Sequence, residues 1–151
     1  MEMTTIYFDM DGTIADSYGI ESWLEDILME NPRPYRQARP LVNMRKFVRI
    51  IHKLQAQGCQ VGIITWLGKG SSNSYNNKVA SAKMNWLKAH CGSVNWDDII
   101  IVEYGTPKHE LVEIDNSILF DDEITNRIQW ELNGGIAYGV ENILENLGLM
   151  F

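Results

Sequence analysis

The chain has 151 residues, 45% of them hydrophobic and 22% charged, and a formal net charge of −7. That length suits one domain with a sizeable core, and the acidic balance speaks against general binding to a nucleic-acid backbone. No apolar run approaches the roughly 20 residues of a membrane span, and the opening MEMTTIYFDMDG lacks the basic segment and long apolar stretch of a secretory signal. Cys59 and Cys91 show no metal-ligand spacing and read as free thiols in a reducing compartment, so the expected location is cytoplasmic.

In chain order, Thr4–Asp9 is β-branched and aromatic and reads as a buried strand. Ser17–Glu30 reads as a short helix with Ser17 as its N-cap. Asn31–Pro40 contains three prolines and is expected to end it. Leu41–Gln57 is a helix with Met44, Phe47, Val48, Ile51 and Leu54 on one face, closed by Gly58. Gln60–Thr65 is the second strand, and Leu67–Asn77 is a polar, glycine-bearing loop. Lys78–His90 is a helix with Val79, Ala82, Lys83, Trp86 and Leu87 on one side. A strand at Asp98–Glu103, a short helix from Pro107 to about Glu113, and a strand at Ser117–Asp121 follow. A helix at Glu123–Asn133, a strand at Ile136–Val140 and a helix at Glu141–Leu147 complete the pattern.

This alternation implies parallel strands covered by helices on both faces, a three-layer α/β sandwich around a mainly parallel five-stranded sheet. Residues 1–151 are expected to form one domain, with a small cap-like insert at about 14–40. Ligands of such sheets bind beyond the carboxyl ends of the strands. There the chain places Asp9 and Asp11 after strand one, Thr65 after strand two, and Asp121 and Asp122 after strand four. Crowded carboxylates repel one another unless a cation is present, and an all-oxygen set suits Mg²⁺. Lys108 precedes strand four and is placed to neutralise carboxylate or phosphate charge.

Asp9-x-Asp11-Gly12-Thr13 after a hydrophobic strand, Thr65 closing a strand, Lys108, and the acidic pair Asp121–Asp122 closing another strand resemble, in order, the four motifs of the haloacid dehalogenase (HAD) superfamily of phosphatases. The resemblance implies a Rossmann-like fold and a Mg²⁺-dependent phosphomonoesterase. Asp9 would be the nucleophile that forms an aspartyl-phosphate, and Asp11 the general acid and then the base. Asp9, the Asp11 backbone carbonyl and the Asp121/Asp122 pair would hold Mg²⁺, with the direct ligand of the pair undecided. Thr65, Trp66 and Lys108 would bind the substrate phosphate.

The stretch from Ile118 to Val140 and the helix Tyr75–Trp86 are similar to the 3′-phosphatase domain of phage polynucleotide kinases, although Thr65-Trp66-Leu67 replaces the Ser-Gly-Arg often found there. Short 5′-nucleotidases of the superfamily match the paired aspartates. The expected partner is therefore a phosphorylated small molecule or a nucleic-acid end, with no membrane and no evident obligate protein partner. Arg33, Arg36, Arg39 and Tyr35 form a local basic patch suited to phosphate and base contacts. A catalytically weak metal- and phosphate-binding regulatory module of the same fold is the competing reading. A receiver domain is excluded, since Val102–Glu103–Tyr104 stands where its phosphoacceptor aspartate belongs. The spacing also fails a Walker phosphate loop and an EF-hand.

Overall fold

The computed structural model describes residues 3–150, so residues 1, 2 and 151 of the expected unit lie outside the described residues. Its centre is a five-stranded parallel sheet built from β1 (Thr5–Phe8), β4 (Gln60–Trp66), β5 (Asp98–Val102), β6 (Ser117–Phe120) and β7 (Ile136–Tyr138). The order is β5-β4-β1-β6-β7, which puts β1 in the middle. Ile6 pairs in register with Val61 on one side and Ile118 on the other. The three strands that carry the predicted acidic and hydroxyl residues therefore lie side by side and end together. The expected three-layer α/β sandwich is the observed fold.

The two faces are unequally covered. On one face, α3 (Met44–Ala56), α4 (Asn73–Cys91) and α6 (Ile143–Gly148) bring Phe47, Ile51, Leu54, Trp86, Leu87 and Leu147 against Ile6, Phe8, Ile63 and Phe120. On the other, α5 (Ile124–Leu132) covers Tyr7, Ile64 and Leu119 chiefly through Trp130, helped by the segment 111–114. Among the described residues, no helix is long and apolar enough to cross a membrane, and both cysteines are free.

Several elements depart from the sequence reading. Ser17–Glu30 is not one helix: a 3-10 turn at Ser17–Gly19 is followed by α1 (Trp23–Leu28). Ser17 caps nothing, because its hydroxyl donates to Asp11 Oδ1 at 3.0 Å. The proline-rich stretch does contain a helix, α2 (Arg33–Gln37), since Pro34 falls in the first turn where no intrahelical donor is lost. Residues Arg39–Pro40 form β3, which pairs antiparallel with β2 (Ala15–Asp16). Helix α3 begins later than expected, at Met44, because the Asn43 side chain accepts from Lys46 N and fixes the start. Conversely, α4 begins within the stretch read as loop: Ser72 caps it by accepting from Tyr75 N at 3.1 Å. The short helix after Pro107 is only a 3-10 turn, Lys108–Glu110.

Candidate active site

The loop leaving β1 is built to turn sharply. Gly12 N donates to Ala15 O, while Thr13, Ile14 and Ala15 all direct their N–H groups at Met10 O. Gly12 has φ +77°, and a Cβ there would collide with the Asp122 carboxylate and crowd the Tyr18 ring. Glycine thus serves both the left-handed backbone and the close approach of an acidic side chain. Thr13, next to it, is fully buried: its hydroxyl donates to Asp9 Oδ2 at 2.9 Å and accepts from Asp122 N at 3.2 Å.

Asp9 is 7% exposed, and its other oxygen accepts from Lys108 Nζ at 3.0 Å. Lys108, itself 3% exposed, also donates to Asp121 Oδ2 at 2.8 Å. Burial pulls the Lys108 ammonium pKa down, but Asp9 and Asp121 together raise it further, so it stays charged. Asp121 is fully enclosed. Glu123 N donates to its Oδ1, Asn126 Nδ2 joins Lys108 on its Oδ2, and Arg127 Nη1 holds its backbone carbonyl. Burial, then the Asp9 charge, raise the Asp121 pKa despite Lys108.

Asp122 differs in kind: among the described residues no lysine or arginine hydrogen bond to its carboxylate is seen, whereas Lys108 bonds both Asp9 and Asp121. Burial, Asp9 and Asp121 push its pKa up to about 8. One carboxylate oxygen from each of Asp9, Asp121 and Asp122 lies within 4.8 Å of the others. This trio carries more negative charge than Lys108 offsets, and its donors are all hard oxygens. The residues present therefore fit a divalent cation of the Mg²⁺ type.

A cavity of about 340 Å³ opens above these groups. Its floor is Asp9, Asp11, Lys108, Asp121 and Asp122, and its walls include Tyr18, Trp23, Ile27, Tyr35, Trp66 and Tyr104. The wall is partly supplied by residues 14–40, through Tyr18 of the 3-10 turn, Trp23 and Ile27 of α1 and Tyr35 of α2. Of the basic patch, only Tyr35 reaches the cavity; Arg33, Arg36 and Arg39 do not line it.

Of the predicted site residues, Asp9, Lys108, Asp121 and Asp122 meet around one point, and Asp11 lies at the same floor. Trp66 lines the wall, but its indole N–H is committed to Thr106 O at 2.9 Å and its ring lies over Lys108 Nζ at 5.4 Å. Thr65 is fully buried, and its hydroxyl oxygen accepts from Lys83 Nζ at 2.6 Å. From the sequence, Lys83 and Asn126 carry no role in the site, and Thr13 enters only as part of the Asp9-x-Asp11-Gly12-Thr13 motif. For Lys83 the signal was present: a lysine in the apolar row of a helix, where an ion is costly without partners.

No protein-family model and no curated protein matches the sequence. Solved structures resemble its fold. A D,D-heptose 1,7-bisphosphate phosphatase from Burkholderia thailandensis superposes with a TM-score of 0.55 at 14% identity, covering 87% of this chain and 74% of its own. A HAD-family enzyme from Bacteroides thetaiotaomicron gives 0.56 at 9% identity, covering 98% and 99%. The L-2-haloacid dehalogenase of Xanthobacter autotrophicus gives 0.52 at 11% identity, covering 90% and 76%. The fold is that of the HAD hydrolases. In this HAD-type hydrolase fold the aspartate motif occupies the central strand's end, with the acidic pair on the neighbouring strand.

Proposed function

We propose that the chain is a Mg²⁺-dependent phosphomonoesterase that works through an aspartyl-phosphate on Asp9 and favours a phosphate ester carrying a flat aromatic group, a mononucleotide above all. The observation that carries the reading is the floor of the cavity: buried Asp9, held by Lys108 at 3.0 Å and within 4.8 Å of Asp121 and Asp122.

Asp9 attacks phosphorus in line, the bond to the ester oxygen breaks, and Asp11 delivers a proton to the departing alkoxide. Asp11 then takes a proton from water, which cleaves the acyl phosphate and restores the Asp9 carboxylate. Lys108 balances charge on the transferring group, as positioning and electrostatics dominate phosphoryl transfer. Asp9, Asp121 and Asp122 would hold Mg²⁺. Asp122 is the better direct ligand of the pair, because the Asp121 oxygens already accept from Lys108, Asn126 and Glu123. Bound Mg²⁺ would neutralise the carboxylates and screen the phosphoryl oxygens from them.

The leaving group is read from the walls. Tyr18, Trp23, Tyr35, Trp66 and Tyr104 supply aromatic faces and edges for a planar ring. The three arginines that would track a polynucleotide backbone do not line the cavity, which favours a mononucleotide over a nucleic-acid end. Residues 14–40 would serve as a minimal cap on a single domain.

The test is phosphate release from 4-nitrophenyl phosphate, mononucleotides, 3′- and 5′-phosphorylated oligonucleotides and sugar phosphates. We expect Mg²⁺-dependent release that EDTA abolishes, strongest with mononucleotides. Release only from oligonucleotide ends would reverse the substrate reading. Binding of Mg²⁺ and phosphate without turnover of any ester would leave the regulatory module instead.

A further inference from the structure

Lys83 is 0% exposed in the middle of α4, where the row Val79, Ala82, Trp86 and Leu87 faces the core. Its ammonium donates to Asp11 Oδ2 at 2.7 Å, Thr65 Oγ1 at 2.6 Å and the Trp66 carbonyl at 2.6 Å. The Tyr35 ring lies 5.2 Å from the same nitrogen. All three ammonium protons are therefore spent, on the ends of β1 and β4 at once. An ion in such a place is a poor device for stability alone, since well-packed apolar residues commonly do as well.

The consequences fall on two groups near the reaction. Asp11 is gripped from both sides, by Lys83 on Oδ2 and by the Ser17 hydroxyl on Oδ1. Its carboxylate has one defined orientation before substrate arrives. Thr65 accepts from an ammonium, which has no acceptor of its own. The hydroxyl proton of Thr65 is thus left for another acceptor.

We propose that Lys83 is a positioning residue for proton transfer to the leaving group: it orients Asp11 and leaves Thr65 as a hydrogen-bond donor. The proposal rests on the hydrolase reading given above. It assigns the two buried lysines separate duties. Lys108 serves the attacking carboxylate, and Lys83 the carboxyl that handles the proton.

The experiment compares kcat/KM for two esters of similar shape, benzyl phosphate and 2,4-dinitrophenyl phosphate, in the wild type, Lys83→Met and Lys83→Gln. Each variant is first checked by thermal unfolding. The parameter kcat/KM reports formation of the phospho-enzyme, where a basic alkoxide needs a proton and dinitrophenolate does not. In Lys83→Met we expect a loss of about 100-fold on benzyl phosphate and less than about tenfold on the dinitrophenyl ester. Lys83→Gln, which keeps a donor, should fall between wild type and Lys83→Met on benzyl phosphate, and it carries the test if Lys83→Met does not fold. Equal losses on both esters, or no loss on either, would overturn the role of Lys83. A wild type that hydrolyses neither ester would instead remove the hydrolase reading itself.

Discussion

The floor and the wall of the cavity are made differently. On the floor, Asp9, Lys108 and Asp121 are each under 10% exposed and linked by hydrogen bonds of 2.8–3.0 Å. Asp9 and Asp121 directly follow the paired strands β1 and β6, whose register leaves little freedom, and Lys108 reaches them from the 3-10 turn before β6. On the wall, Tyr18 is about half exposed and packs edge-on to Trp23, in a segment of short helices and two-residue strands. That segment is tied to α4 by hydrogen bonds from Tyr75 OH to Asn31 O, from Ser72 to the Glu30 carboxylate and from Trp86 Nε1 to Ala38 O, and by the Tyr35 ring against Lys83. The contrast separates chemistry from selection. On the proposed reading, the groups that meet phosphorus are held by buried ion pairs at the strand ends. The aromatic groups that choose the leaving group stand on a more exposed segment that touches the floor through Ser17 on Asp11 and Tyr35 against Lys83.

Substitutions on the floor should give the largest effects. Asp9→Asn should reduce kcat on any accepted ester by on the order of 10⁵-fold with the fold intact, measured by steady-state turnover and circular dichroism. Activity within tenfold of wild type would break the contrast at its root. Lys108→Met should lower kcat by about 10²–10³-fold. It should also lower the melting temperature, because Asp9 and Asp121 lose their shared buried cation.

Metal and pH sharpen the same comparison. Because its pKa of about 8 in the fold lies above its ordinary value, Asp122 favours folding fully only below that ordinary value, near about 4. The contribution is lost as pH rises through about 8, so metal-free protein should melt progressively lower over this range. Mg²⁺ competes with the proton on these carboxylates, so its stabilisation should grow with pH. At 100 times its dissociation constant it should add about 2.7 kcal/mol, or about 5–10 °C, at alkaline pH. A melting-temperature shift by Mg²⁺ that is equal at about pH 5 and about pH 9 would contradict this.

Wall substitutions should act on binding alone. Trp23→Ala should raise KM for a mononucleotide by about tenfold and leave kcat within about twofold, which corresponds to losing one stacking surface. A fall in kcat with unchanged KM would put Trp23 in the chemistry instead. The smallest effect belongs to Arg33, Arg36 and Arg39. Replacing all three by alanine should leave mononucleotide kcat/KM within about twofold, and a larger loss would bring the basic patch back into substrate binding.

Much of the fold was legible because the signals were local. The runs TIYF, GIIT and SILF are strands by composition; the first and third are followed directly by Asp9 and Asp121, and the second ends on Thr65. Element ends were less legible, because they depend on single side chains: Asn43 and Ser72 cap α3 and α4, while Ser17, which looks like a cap, bonds Asp11 instead. Pro34 looks like a helix breaker in the sequence, yet its place in a first turn makes it compatible with α2.

By itself, then, the sequence determined the order of the five main-sheet strands and placed Asp9, Asp11, Lys108, Asp121 and Asp122 near their ends, since hydrophobic periodicity and charge placement are properties of short segments. Only the tertiary structure decided that Lys83, 72 positions from Asp11, bonds its carboxylate, that the walls are aromatic, and that the arginines stand outside. The physical reason is that burial and hydrogen-bond partnership between distant segments depend on how helices cross the sheet, which no short stretch of chain encodes.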